Sequence, residues 1–208
     1  MRMDMPMEPL EIEVKFYLTN IDSIRNLILD QGARFISRSF ETNIRFEDQS
    51  NSLIQKRCLL RLRKDNRTTL TFKSSPEKKS SEFKIFKELE VEISDFDMMR
   101  RILEALGFHK EQVYEKRRET YQINNATICI DSMPYGNFIE IEGTENIIRE
   151  LAQALQLKWD HRILLSYLAM FETIKRHLEL PFTDLTFNNF ASVDVNITRY
   201  LDRFEAGA

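Results

Sequence analysis

The sequence predicts an α+β fold in which amphipathic helices cover one face of an antiparallel sheet. Eight segments alternate apolar and polar residues with the period of a β-strand, and four have the period of an amphipathic helix. Strands and helices do not alternate one by one, as they would in a parallel βαβ fold. The predicted strands are residues 10–18, 33–46, 58–63, 67–73, 83–93, 110–123, 126–131 and 137–142, and the predicted helices are residues 19–31, 95–106, 146–157 and 162–177.

Size and composition indicate one globular domain without a membrane segment. The protein has 208 residues, 30% of them charged, and a formal net charge of −3, which does not indicate a nucleic acid partner. Cys58 and Cys129 fit no metal-binding or disulfide pattern, and no stretch is as apolar as a secretion signal or a membrane helix. We therefore expect a cytoplasmic protein with no membrane and no nucleic acid partner.

The first predicted strand carries an informative charge pattern. Glu11, Glu13 and Lys15 alternate with Ile12 and Val14, so the three charged side chains share one face of the strand. Carboxylates two residues apart on a strand are about 7 Å apart, and beside an ammonium group they can hold a divalent cation and an anion. A solvated edge strand would show the same alternation. The first interpretation is favoured because similar patterns recur on other predicted strands.

The first predicted helix can cover the apolar face of that strand. Ile21, Ile24, Leu27 and Ile28 lie on one side of this helix, and Gly32 occupies a position typical of a helix C-cap. The other predicted helices are amphipathic as well. The sequence therefore provides cover for the apolar faces of several strands.

Charged side chains share one face of most predicted strands. If the sheet curls into a barrel with the helices outside, this face becomes the lumen. Such a lumen must be wet or filled, because unpaired buried charges are costly. Basic residues suit a polyanion, and acidic residues suit the Mg²⁺ or Mn²⁺ that accompanies phosphates. The alternative is a set of salt bridges across an open sheet. The charged-face residues are Glu11, Glu13, Lys15, Arg61, Arg63, Lys73, Glu88, Glu90, Lys116, Arg118, Asp131, Glu140 and Glu142.

Six motifs, in order, resemble those of the CYTH superfamily, the triphosphate tunnel metalloenzymes, which include class IV adenylate cyclases and thiamine triphosphatases. The first, Glu11-Ile-Glu-Val-Lys15, resembles the E-x-E-x-K signature of the family. The resemblance spans residues 8–171. The other motifs are Leu60-Arg-Leu-Arg63, Thr71-Phe-Lys73, Glu115-Lys-Arg-Arg-Glu-Thr-Tyr121, Ile130-Asp131 with Tyr135-Gly-Asn-Phe-Ile-Glu-Ile-Glu-Gly143, and Ser166-Tyr-Leu168.

This resemblance implies an eight-stranded antiparallel closed β-barrel, the triphosphate tunnel, with helices packed outside. It also implies a triphosphate-containing small molecule as the partner and Mg²⁺ or Mn²⁺ as the cofactor. The implied catalytic residues are Glu11, Glu13 and Lys15. The implied phosphate-binding residues are Lys15, Arg61, Arg63, Lys73, Lys116 and Arg118. The implied metal ligands are Glu11, Glu13, Glu140 and Glu142, with Asp131 as a further one. Glu88 and Glu90 are implied as further acidic residues that line the tunnel.

Two positions depart from the family pattern. Relatives often carry an arginine two residues before a second E-x-E motif in the middle of the sequence, and here that place is taken by Phe86, with Lys84 and Lys87 beside it. The S-Y-L motif is often preceded directly by a basic residue, and here Leu165 precedes it.

We therefore expect a metal-dependent hydrolase of inorganic triphosphate, thiamine triphosphate or a nucleoside triphosphate. Two alternatives remain open, namely cyclisation of ATP to cyclic AMP and pyrophosphate, and a non-catalytic polyphosphate-binding module. Residues 1–177 are expected to form the tunnel domain. Residues 178–208 are expected to form an extension of unknown role, which could be an extra helix docked on the barrel, an oligomer contact or a partly ordered tail. A homodimer also remains open.

Overall fold

Eight antiparallel strands close into a barrel in the computed structural model, which describes residues 10–76 and 80–206. Around the barrel the strands follow the order β1–β5–β4–β3–β2–β6–β7–β8, and every neighbouring pair is antiparallel. The predicted fold class is therefore confirmed. The strands are β1 (Leu10–Leu18), β2 (Arg34–Asp48), β3 (Leu59–Lys64), β4 (Thr68–Ser74), β5 (Lys84–Glu92), β6 (Phe108–Ile123), β7 (Ala126–Met133) and β8 (Gly136–Glu142). Parts of both predicted domains, residues 1–9, 77–79 and 207–208, lie outside the described residues.

The helices lie outside the barrel. They are α1 (Ile21–Asp30), α2 (Ser52–Gln55), α3 (Phe96–Ala105), α4 (Glu145–Ala154), α5 (Tyr167–Leu178) and α6 (Leu201–Phe204), with 3₁₀ turns at Trp159–His161 and Ile197–Tyr200. The short α2 lies in a connection that shows no helical periodicity and was not predicted. The predicted helix 162–177 starts too early, because the Ser166 side chain caps α5 by accepting a hydrogen bond from the backbone N–H of Ala169. None of the helices in the described ranges is long and apolar enough to cross a membrane.

The hydrophobic core lies between the outer face of the barrel and its helices. Val14 and Ile141 on adjacent strands are fully buried, together with Ile28 of α1 and Ile148 of α4. Burying a side chain of this size contributes about 1.5–3 kcal/mol. Because the apolar faces are committed to this outer layer, the charged faces of the same strands point into the barrel.

A C-terminal segment, residues 179–206, completes the barrel wall beside β6. Within the described residues, β7 pairs with β6 only from Arg117 to Ile123, which leaves the first half of β6 with a free edge. Leu185 occupies this edge: its N–H donates to the carbonyl of Val113 at 2.8 Å, and its carbonyl accepts from the N–H of Glu115 at 2.9 Å. The Asp184 carboxylate accepts a further hydrogen bond from the Val113 N–H at 2.8 Å.

The same segment is also linked to the edge of β1, through residues 162 and 163. The Ile163 N–H donates to the carbonyl of Lys15 at 2.7 Å, and the Ala206 N–H donates to the carbonyl of Arg162 at 2.7 Å. The last described residues are thereby linked, through one intervening strand-like segment, to the backbone of a residue that faces the lumen.

Candidate active site

The strand register brings the predicted site residues together on the inner face of the barrel. Opposed pairs link neighbouring strands, as shown by Glu13 facing Glu142 and Lys15 facing Glu140 between β1 and β8. Further pairs among the predicted residues are Lys73 with Glu88 and Arg118 with Asp131. Arg61 and Arg63 follow the same alternation on β3, opposite Thr71 and Thr69 of β4.

Lysines on one side of the lumen are paired with the carboxylates of neighbouring strands. Lys73 Nζ contacts the Glu11 carboxylate and lies 3.3 Å from Glu88 Oε2. Lys15 Nζ lies 2.7 Å from Glu140 Oε1, and Lys15 is only 1% exposed. The Lys15 and Arg118 cations hold the pKa of Glu140 well below its ordinary value, although burial acts in the opposite direction.

The arginines are paired in the same way. Arg61 Nη2 lies 3.5 Å from Glu90 Oε2, and Arg63 Nη2 lies 3.3 Å from Glu90 Oε1. Arg118 bridges two strands, with Nη2 at 2.5 Å from both Asp131 Oδ2 and Glu140 Oε2. The lumen therefore contains the salt bridges of the alternative interpretation, but inside a closed barrel rather than across an open sheet.

Lys84 is a lumen cation that the motif comparison did not identify. Its Nζ lies 2.5 Å from Glu13 Oε1. Burial works against its charge, but Glu13 and Glu140 outweigh burial and raise the pKa of Lys84 above its ordinary value. The signal was present in the sequence, because Lys84 shares strand parity with Glu88 and Glu90. A lysine on the inner row of β5 thus stands two residues before Phe86.

Glu41 is a second lumen residue that was missed. It is 1% exposed, and its carboxylate oxygens lie 3.4 Å from Lys116 Nζ and 3.7 Å from Arg118 Nε. Burial opposes ionisation, but these two cations outweigh it and lower the pKa of Glu41 to about 2. Glu41 and Asn43 alternate with outward-facing Ile44 on β2, so strand periodicity could have identified the row.

Tyr167 forms part of the lumen wall where α5 begins. Its hydroxyl donates to Asp131 Oδ2 at 2.8 Å. Lys15 Nζ lies 4.2 Å from the centre of its ring, and Lys116 Nζ lies 5.6 Å from it. Such cation–π contacts are favourable when desolvated. The tyrosine of the Ser166-Tyr-Leu168 motif therefore positions two of the predicted phosphate-binding lysines and one carboxylate.

Three carboxylates are crowded on the inner face of β1 and β8. Partial desolvation by the surrounding barrel wall and the negative charges of Glu11 and Glu13 raise the pKa of Glu142 to about 7, although its side chain is exposed. Burial and the neighbouring Glu13 also raise the pKa of Glu11, against the opposing effect of Lys73. The pKa of Glu13 is lowered, because the Lys84 cation outweighs the effect of burial. Negative charge is therefore least compensated at Glu142, whereas Glu11 keeps its contact with Lys73.

The CYTH domain model matches residues 9–169 of this protein. The protein belongs to the CYTH domain family.

Relatives of this CYTH protein cover most of its length. A Methanocaldococcus jannaschii protein with the provisional name adenylate cyclase is 28% identical over 173 residues, covering 77% of this chain and 98% of that protein. The solved structure of a Pyrococcus horikoshii protein is 31% identical with a TM-score of 0.64, covering 76% of this chain and 96% of that one. A Hippeastrum protein, described as a provisional adenylyl cyclase with a dominant triphosphatase activity, is 18% identical with a TM-score of 0.55, covering 78% and 95%. This last likeness shows the fold alone.

The donor set of the CYTH lumen fits a hard divalent cation, although the carboxylates do not form a ready site. Glu11, Glu13 and Glu142 supply only oxygen ligands, which suit Mg²⁺ or Mn²⁺, and their mutual repulsion is what a cation would relieve. In residues 10–76 and 80–206, no three His, Cys, Asp or Glu side chains are grouped closely enough to hold a metal as they stand. Lys73 is paired with Glu11, and Lys84 is paired with Glu13, so a bound divalent cation would replace those two contacts.

Proposed function

We propose that this CYTH protein hydrolyses a triphosphate inside its barrel. The observation that carries the proposal is the convergence of buried cations from several strands in one closed lumen, each held by a carboxylate that a phosphate oxygen can replace. Charge-assisted bonds to phosphate are about twice as strong as neutral ones. The proposed phosphate-binding residues are Lys15, Arg61, Arg63, Lys73, Lys84, Lys116 and Arg118.

The proposed catalytic contribution of the protein is mainly electrostatic. Lys15 is held between Glu140 and the ring of Tyr167. It can stabilise negative charge on a transferring phosphoryl group once a phosphate oxygen replaces Glu140. Glu142, whose pKa is about 7, can accept a proton from an attacking water near neutral pH. The water oxygen bonds to the terminal phosphorus as the bond between this phosphorus and its bridging oxygen breaks. Inorganic triphosphate thereby yields phosphate and pyrophosphate.

We propose Glu11 and Glu13 as the residues that would hold Mg²⁺ or Mn²⁺. Metal binding by Glu142 stays a prediction, because a carboxylate bound to the cation would not be free to accept a proton. When bound, such a cation supplies charge neutralisation and activation of water. Metal binding by Glu140 and Asp131 stays a prediction. In the structure both are engaged by Arg118, and Asp131 also accepts a hydrogen bond from Tyr167. This arrangement favours a role for Glu140 and Asp131 in positioning the basic side chains.

Cyclisation of ATP is the second candidate. It is favoured by the provisional name of the M. jannaschii relative, which is 28% identical. Hydrolysis is preferred because Glu142 adds a carboxylate with a pKa suited to deprotonating water.

One assay separates these functions. The purified protein is given tripolyphosphate, thiamine triphosphate or ATP, each with Mg²⁺, with Mn²⁺ or with a chelator, and phosphate, pyrophosphate and cyclic AMP are quantified. We expect phosphate release from tripolyphosphate that requires a divalent cation, and no cyclic AMP. Cyclic AMP with stoichiometric pyrophosphate would support the cyclase. Tight binding of tripolyphosphate without turnover of any of the three compounds would indicate a non-catalytic module.

A further inference from the structure

The outer face of β4 and β5 has less helical cover than the outer face of β1, β7 and β8. Over those three strands, α1 and α4 bury the outward-facing side chains in one core. In the second half of the chain, α3 packs against β3 and β6 instead. Leu89 and Val91 of β5 are therefore exposed, and Leu70 and Phe72 on the adjacent β4 are only partly buried.

Helix α3 carries a second apolar row that its own barrel does not bury. The first row, which includes Met99 and Leu103, packs in the core over β2 and β3. Met98, Ile102 and Leu106 follow one another at intervals of four residues, so they share one flank of the helix. All three are exposed, although a surface helix normally presents polar side chains to solvent.

A groove joins this second row to the uncovered strands. It has a volume of about 440 Å³, and Ile93, Met98 and Ile102 are among the residues that line it. Contiguous exposed apolar surface marks an interaction site, whereas single exposed apolar residues do not. We call this surface the α3–β5 patch. Its exposed members are Leu89, Val91, Met98, Ile102 and Leu106, which are between 45% and 69% exposed.

We propose that the α3–β5 patch binds the same patch of a second copy of this chain in a two-fold symmetric dimer. The second copy's α3 then lies over β4 and β5, where it supplies the cover that α4 supplies over β1 and β8. The contact is reciprocal because a two-fold axis relates the copies. A second copy is the occupant because the patch contains both parts of the contact, namely an uncovered sheet face and an unburied apolar row on a helix.

The charges beside the row are complementary when two α3 helices cross antiparallel. Arg101 is exposed beside Ile102 and forms no ion pair with another residue of the ranges 10–76 and 80–206. Asp97 is exposed at the start of the helix, where its carboxylate lies 3.8 Å from Arg100 Nε. An antiparallel crossing at the level of Met99 brings Arg101 of each copy beside Asp97 of the other. The patch lies on the outer face of the barrel, so the dimer leaves both lumens free and does not depend on the proposed function.

The first test measures association of the full-length protein. Sedimentation equilibrium over a wide range of protein concentrations should show a reversible equilibrium between monomer and dimer. Ile102→Glu places a carboxylate in the centre of the contact and should raise the Kd of the dimer roughly tenfold or more. Leu29→Glu is the matched control, because Leu29 lies on α1 and is 46% exposed, against 45% for Ile102. It should leave the Kd unchanged.

A charge exchange tests the antiparallel crossing and removes no apolar side chain. In a dimer of Arg101→Asp, or in a dimer of Asp97→Arg, like charges meet at both contacts, so each variant alone should dimerise more weakly than the wild type. In an equal mixture of the two variants, opposite charges meet at both contacts of a heterodimer. Native mass spectrometry, which separates the three dimers by mass, should therefore show heterodimers in excess of the statistical proportion.

Each outcome bears on the proposal. A protein that stays monomeric at every concentration would overturn it. A dimer that Ile102→Glu weakens no more than Leu29→Glu does would place the contact elsewhere and would overturn it as well. A mixture without excess heterodimer would overturn the crossing of the two helices. Because Asp97 and Arg101 are exposed, the charge exchange decides the question even if Ile102→Glu fails to fold.

Discussion

The Nζ atom of Lys84 lies 2.5 Å from Oε1 of Glu13 inside the barrel. This contact joins the inner rows of β1 and β5 at the place where the two strands pair. It means that the lumen keeps a basic residue on β5 although Phe86 occupies the position at which relatives often have an arginine.

Replacing Lys84 by methionine should weaken triphosphate binding. Lys84→Met removes a cation from the lumen and leaves Glu13 without its nearest partner. A charge-assisted hydrogen bond contributes about 1.5–3 kcal/mol, so we expect KM for tripolyphosphate to rise roughly tenfold or more. Lys56→Met, at an exposed position after α2, is the control and should leave KM unchanged. Equal KM values in the two variants would remove Lys84 from the site.

The pKa of Glu142 predicts how activity changes with pH. In the absence of a cation its pKa is raised to about 7, and a cation held by Glu11 and Glu13 would lower this pKa by relieving their repulsion. The activity kcat/KM should therefore rise with pH, with its inflection below pH 7 at saturating Mg²⁺. Glu142→Gln should lower kcat and abolish this inflection. A pH profile of the variant that keeps the wild-type inflection would assign it to another group.

Ionisation of Glu142 should lower the stability of the fold, whereas it raises activity. The folded-state pKa of Glu142 is above the ordinary value of 4.5, so its favourable contribution is complete below pH 4.5 and is lost as the pH rises through about 7. Urea denaturation at pH 5 and pH 8 should therefore show a smaller loss of stability for Glu142→Gln than for the wild type. A loss of the same size in both proteins would contradict this linkage.

Glu41→Gln should destabilise the barrel. Removing one partner of a buried ion pair typically costs about 3–5 kcal/mol, and here it leaves Lys116 and Arg118 with less compensation. The folded-state pKa of Glu41 is lowered to about 2, so its contribution is present above pH 4.5 and is lost as the pH falls toward 2. Urea denaturation at pH 7 should show the loss. Glu150→Gln on the exposed face of α4 is the control, with an expected change within about 0.5 kcal/mol.

Arg61→Ala and Arg63→Ala should weaken triphosphate binding much more than Arg67→Ala. The first two face the lumen, whereas the side chain of Arg67 is 66% exposed and pairs with exposed Glu92 at the turn of the same hairpin. Titration of each variant with tripolyphosphate at fixed ionic strength measures the difference. Similar losses in all three variants would mean that binding follows overall surface charge rather than the lumen.

Glu11→Gln and Glu13→Gln should lose activity through metal binding while the fold survives. Each substitution keeps the shape of the side chain but removes the negative charge that a divalent cation requires. Mn²⁺ binding followed by electron paramagnetic resonance should weaken in both variants, and their far-ultraviolet circular dichroism should match the wild type. Wild-type Mn²⁺ affinity in both variants would end the assignment of these residues to the metal.

Strand periodicity predicted the barrel wall well even where a strand does not bury its outer face, as on β5, where Leu89 and Val91 are 55% exposed. The alternation that begins at Glu11 and Ile12 fixes which side chains face inward, and the register then brings residues from opposite halves of the sequence into contact. Helix starts were harder to predict. The helix that begins at Tyr167 is set by the cap that the Ser166 hydroxyl provides, whereas the preceding residues are equally compatible with a helix.

The pairing inside the lumen could not be predicted from the sequence. Alternation shows that Lys15 and Glu140 face inward, but only the closed register shows that they meet at 2.7 Å. Glu41 was overlooked because its strand begins with exposed residues such as Phe35 and Phe40, which obscure the inner row. The path of the C-terminal segment depends on contacts between residues 71 positions apart, such as that of Asp184 with Val113.

The edge of β6 that Leu185 covers has a consequence for how the protein folds. Asp184 follows Val113 by 71 positions, so during synthesis β6 emerges long before the segment that pairs with it. Unpaired strand edges readily recruit strands from other molecules, and sheet pairings that join distant residues form slowly. In the interval, the first half of β6 has an unpaired edge that is open to association with a second copy. Molecular chaperones that shield exposed strand edges would therefore act on this protein before residues 183–187 have docked.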